Sequence, residues 1–377
     1  MTLLDVTPTA LQALWLILVA VLWIGYLVLE GFDYGVAMLL PFVGKNDKER
    51  RVLVNTIGPV WDGNQVWLLT AGGAMFAAFS GWYATLFSAL YIPLFLILLG
   101  LIVRGVAFEY RGKHPGWTWR NRWDWAAAIG SLLPPLVFGV GFANFLIGLP
   151  LKNVAILGGA TIVPVFDGDK LWAGPLFGLF SWFGLVGGIT FVLVFLTHGA
   201  LYAALKTKGE IHDRLMKLAV KLGLITAIPG IVFVLGANIR KMLPGQLDSL
   251  RAVAWIAGIL LLVLFVGAIF FAWKGREGIA FILTGGSIAM CAVMIFAHLY
   301  PGLGFDNTGV KVMLDITTAS SSPTTLTLMT VAAGILVPIV LLYQIWTYTV
   351  FRRRIGIQNI PDDVDGADDT EPVAVGG

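Results

Sequence analysis

Three carboxyl groups lie where a membrane-spanning chain should carry none. Glu30 and Asp33 interrupt the apolar run that begins near residue 10, and Asp62 interrupts the next one. A charge at the centre of a bilayer costs roughly 2.5–3.5 kcal/mol on insertion scales, so three facing lipid as ions would cost roughly 8–10 kcal/mol together. Such groups are expected to be buried in protein, paired, protonated or wetted, which is the profile of a proton relay or ion path. Their neighbours share the helical spacing. Tyr26, Glu30, Asp33 and Ala37 fall on one face. Asn55, Gly58, Asp62, Gln65, Leu69 and Gly72 fall on another, polar at one end and small or apolar at the other. Pro59 and Gly63 bracket Asp62, and a proline there crowds the carbonyl of Asn55 and predicts a kink. Trp61, beside Asp62, is counted with the candidate path, which comprises Asp62, Asp33, Glu30, Asn55, Gln65 and Trp61.

The elements that hold these residues are apolar runs long enough to span a bilayer. The chain has 377 residues, 58% of them hydrophobic and only 12% charged, and a soluble protein of this size could not hide so much apolar surface. Nine runs read as spans, at about 10–41, 52–78, 83–104, 124–146, 175–205, 214–237, 252–273, 279–300 and 325–351. They are continuous rather than alternating, so a β-barrel is set aside and an all-α integral membrane fold is expected. Most of the 25 basic residues fall in alternate connections, among them Lys45 to Arg51, Arg111 to Arg122, Lys206 to Lys221 and Arg352 to Arg354. By the excess of Lys and Arg on the cytoplasmic side, the N-terminus is outside and the C-terminus inside. A hairpin of the first two spans then holds all three carboxyls roughly 12–17 Å from the cytoplasmic end, given a rise of about 1.5 Å per residue. No basic residue lies on either helix at that depth, so proton uptake is the cheapest way to neutralise them.

Other polar residues read more plainly. Arg104 closes the third span as a snorkelling side chain. Asp124 suits the N-terminus of the fourth. Trp117, Trp119, Trp123 and Trp125, with Tyr343, Trp346 and Tyr348, form aromatic belts at the headgroup level and carry no chemistry. Cys291 reads as a small buried hydrophobe. The N-terminus lacks the basic region of a cleavable signal peptide. Of four histidines, His114 and His212 sit in loops, while His198 and His298 lie near opposite membrane edges and could not sandwich one haem. The repeated His or Glu-x-x-His ligands of copper and di-iron oxidases are missing from the sequence. Residues 355–377 carry six acids and no base, which marks a disordered cytoplasmic tail after a membrane domain over 1–354.

These residues resemble a known family. Gly31-Phe32-Asp33-Tyr34-Gly35, the run Glu49-Arg50-Arg51, and Trp61-Asp62-Gly63-Asn64-Gln65-Val66-Trp67 resemble motifs of subunit II of the bacterial cytochrome bd quinol oxidase. Trp119-Arg120-Asn121, Pro134-Pro135, Gly199-Ala200 and Val337-Pro338 also fit, and the similarity runs from about residue 10 to 354. The resemblance implies nine helices, two four-helix bundles plus one peripheral helix, in a heterodimer core with subunit I. Two b-type haems and one d-type haem are then expected in that partner, where quinol is oxidised and oxygen reduced to water with cytoplasmic protons. It implies a proton-uptake path through this chain, with the motif aspartate at Asp62 and the first-helix acid at Asp33. Some relatives have Asp where this chain has Glu30, and some have Gln where it has His198. Expected partners are subunit I, quinol, the lipid bilayer and, as open additions, small single-helix accessory subunits and a structural quinone or lipid. Nucleic acid is not among them. The implied location is the bacterial plasma membrane. Two other readings are set beside this one: a stand-alone proton-coupled transporter and a purely structural scaffold subunit.

Overall fold

The computed structural model describes residues 7–150, 153–157, 161–165, 178–240, 248–306 and 314–361. Its helices are α1 (Ala10–Val43), α2 (Asp47–Ile57), α3 (Trp61–Ala78), α4 (Ser80–Ala89), α5 (Tyr91–Arg111), α6 (Trp117–Ile147), α7 (Trp182–Lys206), α8 (Glu210–Ile239), α9 (Asp248–Trp273), α10 (Glu277–Leu299) and α11 (Pro323–Val350). Among the described residues, eight of these, α1 and α5 to α11, are long and apolar enough to cross a membrane. Four short strands lie between helices. β1 (Leu149–Pro150) pairs in parallel with β4 (Phe305–Asp306), and β2 (Asn153–Leu157) forms a hairpin with β3 (Thr161–Val165).

Local chemistry sets the helix ends. Thr9 and Gln12 form a reciprocal capping box at the start of α1. Asn46 caps α2 through the amide of Glu49, and Ser181 caps α7 through that of Gly184. The second expected span is not one helix. It breaks between α2 and α3 at Gly58-Pro59-Val60, because Pro59 has no N–H to continue the ladder and crowds the carbonyl of Asn55. The predicted kink is therefore a complete interruption. The third expected span likewise begins as the short α4 and continues as α5 after a break at Leu90.

Helix α1 sits at the centre, packed against α3, α6, α7 and α10. Its approach to α7 is glycine on glycine: a Cβ on Gly35 would fall 1.9 Å from the carbonyl oxygen of Phe195, and one on Gly199 would fall 2.5 Å from Gly35. Helices α5 and α6 meet the same way at Gly100 and Gly130, where a Cβ on Gly130 would lie 2.7 Å from the Gly100 oxygen and 2.9 Å from the amide of Arg104. Small residues let backbones approach in a medium that supplies no hydrophobic drive between helices. Both crossings press the polar side chains of α1 and α5 into the interior.

Helix α11 is different, because of its side chains only Leu326 is buried. It is tied at both ends. Near its start the Trp15 indole donates to the Leu326 carbonyl (3.1 Å) and to the Thr330 hydroxyl (3.0 Å). Near its end Gln344 and Tyr348 reach Asn64 of α3. The chain then folds back across the end of α7. Thr207 bridges Ile355, Lys206 donates to the Phe351 carbonyl (2.7 Å), and Ile360 packs among buried residues of α2 and α8. Residues 355–361 are thus docked, and the six acids of the expected tail lie outside the described residues.

Candidate functional site

The structure separates the three carboxyls that the sequence brings to one depth. Glu30 and Asp33 point into the protein and are 0% exposed, whereas Asp62 lies on the outward face of α3. The helical pattern explains the split. Asn64, Ala71 and Met75 turn the buried side of α3 inward, and this puts Asp62, Val66, Leu69 and Phe76 on the opposite side. Asn55 and Gly58 are exposed below Asp62, while Gln65 and Trp61 are half-buried. Asp62 makes no hydrogen bond or ion pair among the described residues.

Glu30 does have a cationic partner, which the sequence reading placed elsewhere. Arg104 is 0% exposed, two turns inside α5 rather than at a snorkelling end, and its Nη2 donates to Glu30 Oε1. The same nitrogen donates to Gln65 Oε1 at 3.1 Å. The guanidinium lies over the Tyr34 ring, 4.6 Å from its centroid, and over that of Trp61 at 5.9 Å. Trp61 packs edge-on to Phe108, with ring centroids 5.2 Å apart. Tyr34 and Tyr26 close the cluster through a 2.5 Å contact between their hydroxyls.

Asp33 is held from α3. Asn64 Nδ2 donates to Asp33 Oδ2 at 2.7 Å and to the Leu29 carbonyl at 3.3 Å. Asn64 Oδ1 accepts from Tyr348 (2.9 Å) and Gln344 (3.1 Å) of α11. Tyr348 is therefore a polar contact of the buried cluster and not only a belt residue. Arg104, Asn64, Gln344 and Tyr348 are the site residues that the sequence reading missed. The spacing of Asn64 and Gln65 within the Trp-Asp-Gly-Asn-Gln motif was the available signal, because two amides beside an aspartate in an apolar run need partners of their own.

A second polar cluster sits at the foot of the same helices. Asp124 takes Arg111 (2.5 Å) and Arg50 (2.9 Å), and Asp47 takes Arg111 (2.8 Å) and Arg120. Arg50 also lies 4.6 Å from the centroid of the Trp117 ring. Asp124 is thus a buried ionic node rather than a helix-dipole residue. Glu49 receives Arg214 at 2.7 Å and the Lys45 amide at 2.9 Å. Burial opposes ionisation of Glu49, but these hydrogen bonds outweigh it and hold its carboxyl below the usual glutamate range. Its contribution to stability is therefore complete above about pH 4.3 and is lost as pH falls through the lower folded value. In melting-temperature measurements against pH, Glu49→Gln is expected to be less stable than the parent near neutrality and equal to it in acid. A gap that persists unchanged into acid would contradict this assignment.

His198 Nε2 donates to the Val28 carbonyl (3.2 Å), its Nδ1 meets the Thr284 hydroxyl at 2.7 Å, and its ring stacks on Phe281. Both ring nitrogens are engaged. His298 Nε2 faces Asn238 Oδ1 at 3.3 Å. Among the described residues no group of three His, Cys, Asp or Glu side chains could hold a metal ion.

Helices of this length and composition, with many of their charges in an interior cluster and at one end, define a multi-pass membrane protein that carries an ionisable site. The profile of the family described as cytochrome bd terminal oxidase subunit II matches residues 11–351. Subunit 2 of the cytochrome bd ubiquinol oxidase of Bacillus subtilis is 39% identical over 349 residues, covering 92% of this chain and 97% of its own length. Subunit 2 of the cytochrome bd-I ubiquinol oxidase of Escherichia coli K12 is 36% identical over 377 residues, covering 93% and 96%. The solved bd oxidase of Geobacillus thermodenitrificans has a chain that superposes with a TM-score of 0.68 at 19% identity, over 91% of this chain and 99% of that one, a likeness of fold. The chain belongs to the cytochrome bd terminal oxidase subunit II family, and so is a membrane-embedded bacterial subunit of an oxidoreductase.

Proposed function

We propose that this chain is the proton-supplying, haem-free half of a quinol:oxygen oxidoreductase, assembled with a subunit I that holds two b-type haems and one d-type haem. The observation that carries the reading is Asp62, exposed on an outward stripe with Asn55 and Gly58 and without a hydrogen-bond or ion-pair partner among the described residues. A carboxylate left against lipid would cost roughly 2.5–3.5 kcal/mol, so this face belongs against a polar, wetted neighbour. In this reading Asn55 and Gly58 admit water from the cytoplasm, Asp62 takes up the proton, and the partner receives it. Gln65, one turn above Asp62, and Trp61 link the stripe to the buried cluster through Arg104. That cluster sets one guanidinium against two carboxyls, so its neutral state holds one proton on a carboxyl.

His198 does not suit a haem, since both of its nitrogens are bonded within the chain. No redox step is therefore assigned to this subunit. The bound redox groups would supply electron transfer from quinol to oxygen; this chain's part is to move and hold protons. The membrane unit is inferred to be residues 1–354, nine spans with the N-terminus outside, in two four-helix bundles with α11 peripheral. The broken α2 and α3 together supply the ninth span. The acidic tail, 355–377, is then cytoplasmic. An apolar groove of about 730 Å³ among α1, α3, α4, α5 and α6, lined by Trp23, Leu68, Phe95 and Val137, suits a structural quinone or lipid tail, and small accessory helices could add at the lipid face.

Purification from native membranes tests the assignment. Haem absorbance and quinol oxidase activity should accompany the chain through every step. A colourless chain that purifies alone would favour a stand-alone transporter instead.

A further inference from the structure

The amide of Asn64 can be oriented in only one way. A backbone carbonyl only accepts hydrogen bonds, so the Asn64 atom that faces the Leu29 oxygen must be the NH2 group. The same NH2 faces Asp33 Oδ2 at 2.7 Å. Asn64 Oδ1 then faces α11, where the Tyr348 hydroxyl and the Gln344 amide both donate to it. Every polar atom of this side chain is engaged, and the residue is 0% exposed. Asp33 Oδ1, by contrast, is buried and makes no hydrogen bond among the described residues.

We propose that Asn64 is a positioning residue, which Leu29, Tyr348 and Gln344 hold in one orientation so that it donates to Oδ2 of Asp33 and confines the exchangeable proton of Asp33 to Oδ1. An NH2 group has no lone pair to accept from an acid O–H, so a proton on Oδ2 would face a donor and lose its partner. The proton of Asp33 thus enters and leaves through one oxygen. Glu30 lies one turn earlier on the same helical face. The charged or titratable groups around Asp33 are Glu30 and Tyr34 on its own helix, Arg104 from α5, Tyr202 from α7 and Tyr348 from α11. Arg104 is bonded to Glu30, and the Glu30 carboxyl itself lies within hydrogen-bonding reach of Asp33; Asn64 is the amide donor that holds Asp33 Oδ2. The peripheral helix, otherwise almost uncovered, gains a role: its last turns brace the amide that sets the proton.

This inference rests on the reading of Asp33 as a proton-exchanging group. It is tested on the intact oxidase complex by redox-induced infrared difference spectroscopy in the carboxylic C=O region, with Asp33→Asn used to identify the Asp33 band. In the unmodified complex the band should be single, because the proton has one position. In Asn64→Leu, with haem content unchanged, it should shift and split as either oxygen takes the proton, and turnover should fall about tenfold at unchanged quinol KM. Two bands of comparable strength in the unmodified complex would overturn the proposal without any Asn64 variant. So would an unmoved band in Asn64→Leu. Absence of any Asp33 band would instead defeat the proton-exchange reading on which the proposal stands.

Discussion

Replacing Asp62 by Asn is expected to lower quinol-oxidase turnover about a hundredfold while leaving the haem content of the complex unchanged. Positioned proton donors and acceptors contribute roughly 10²- to 10⁴-fold, and the amide keeps the shape while it loses the titration. Stability should hardly move. Asp62 is exposed and forms no hydrogen bond or ion pair among the described residues, so no such contact is lost with its charge. This separates the variant from a structural lesion, which would lower haem content and turnover together. Turnover equal to that of the parent would leave the chain a scaffold for its partner.

The second large effect concerns the buried pair of Arg104 and Glu30. Glu30→Gln takes away the carboxylate bonded to a fully buried guanidinium and leaves only Asp33, itself bonded to Asn64, to balance it; removing the bonded member of a buried pair costs about 3–5 kcal/mol. The assembled complex should be recovered in much lower yield and melt at lower temperature. Arg104→Met should be milder, because the two carboxyls left behind can take up protons whereas a guanidinium cannot release one. The double variant Glu30→Gln with Arg104→Met should regain most of the lost stability, because no buried charge is then left unpaired. A double variant as unstable as Glu30→Gln alone would mean that the pair does not act as a unit.

Composition and run length made the membrane class legible, and eight of the nine expected spans coincide with long apolar helices. The second span was harder, because Pro59 signals a disturbance but not its size. A kink and a full break share the same residues, and the choice depends on how the flanking helices pack. The identity of the chemical residues was also legible, as acids in apolar runs stand out. Their grouping was not. Helical spacing places Asp62 on a face of α3 without saying which face meets α1, and Asn64, two residues on, turned out to be the inward one. Arg104 was misread for a related reason. Its position near the end of an apolar run suggests snorkelling, but α5 continues to Arg111 and carries it inside. Tyr348 reads as a belt residue until α11 is seen to lean on Asn64. Contacts between distant segments decide all three cases.

The central claim is that Asp62 takes up protons from the cytoplasm and passes them to a redox partner. Its most direct test is oxygen-triggered proton uptake by the intact complex in oriented vesicles, followed from the cytoplasmic side and compared with Asp62→Asn. The uptake rate should fall about a hundredfold in the variant with its haem content preserved. Uptake at the parent rate in that variant would contradict the claim.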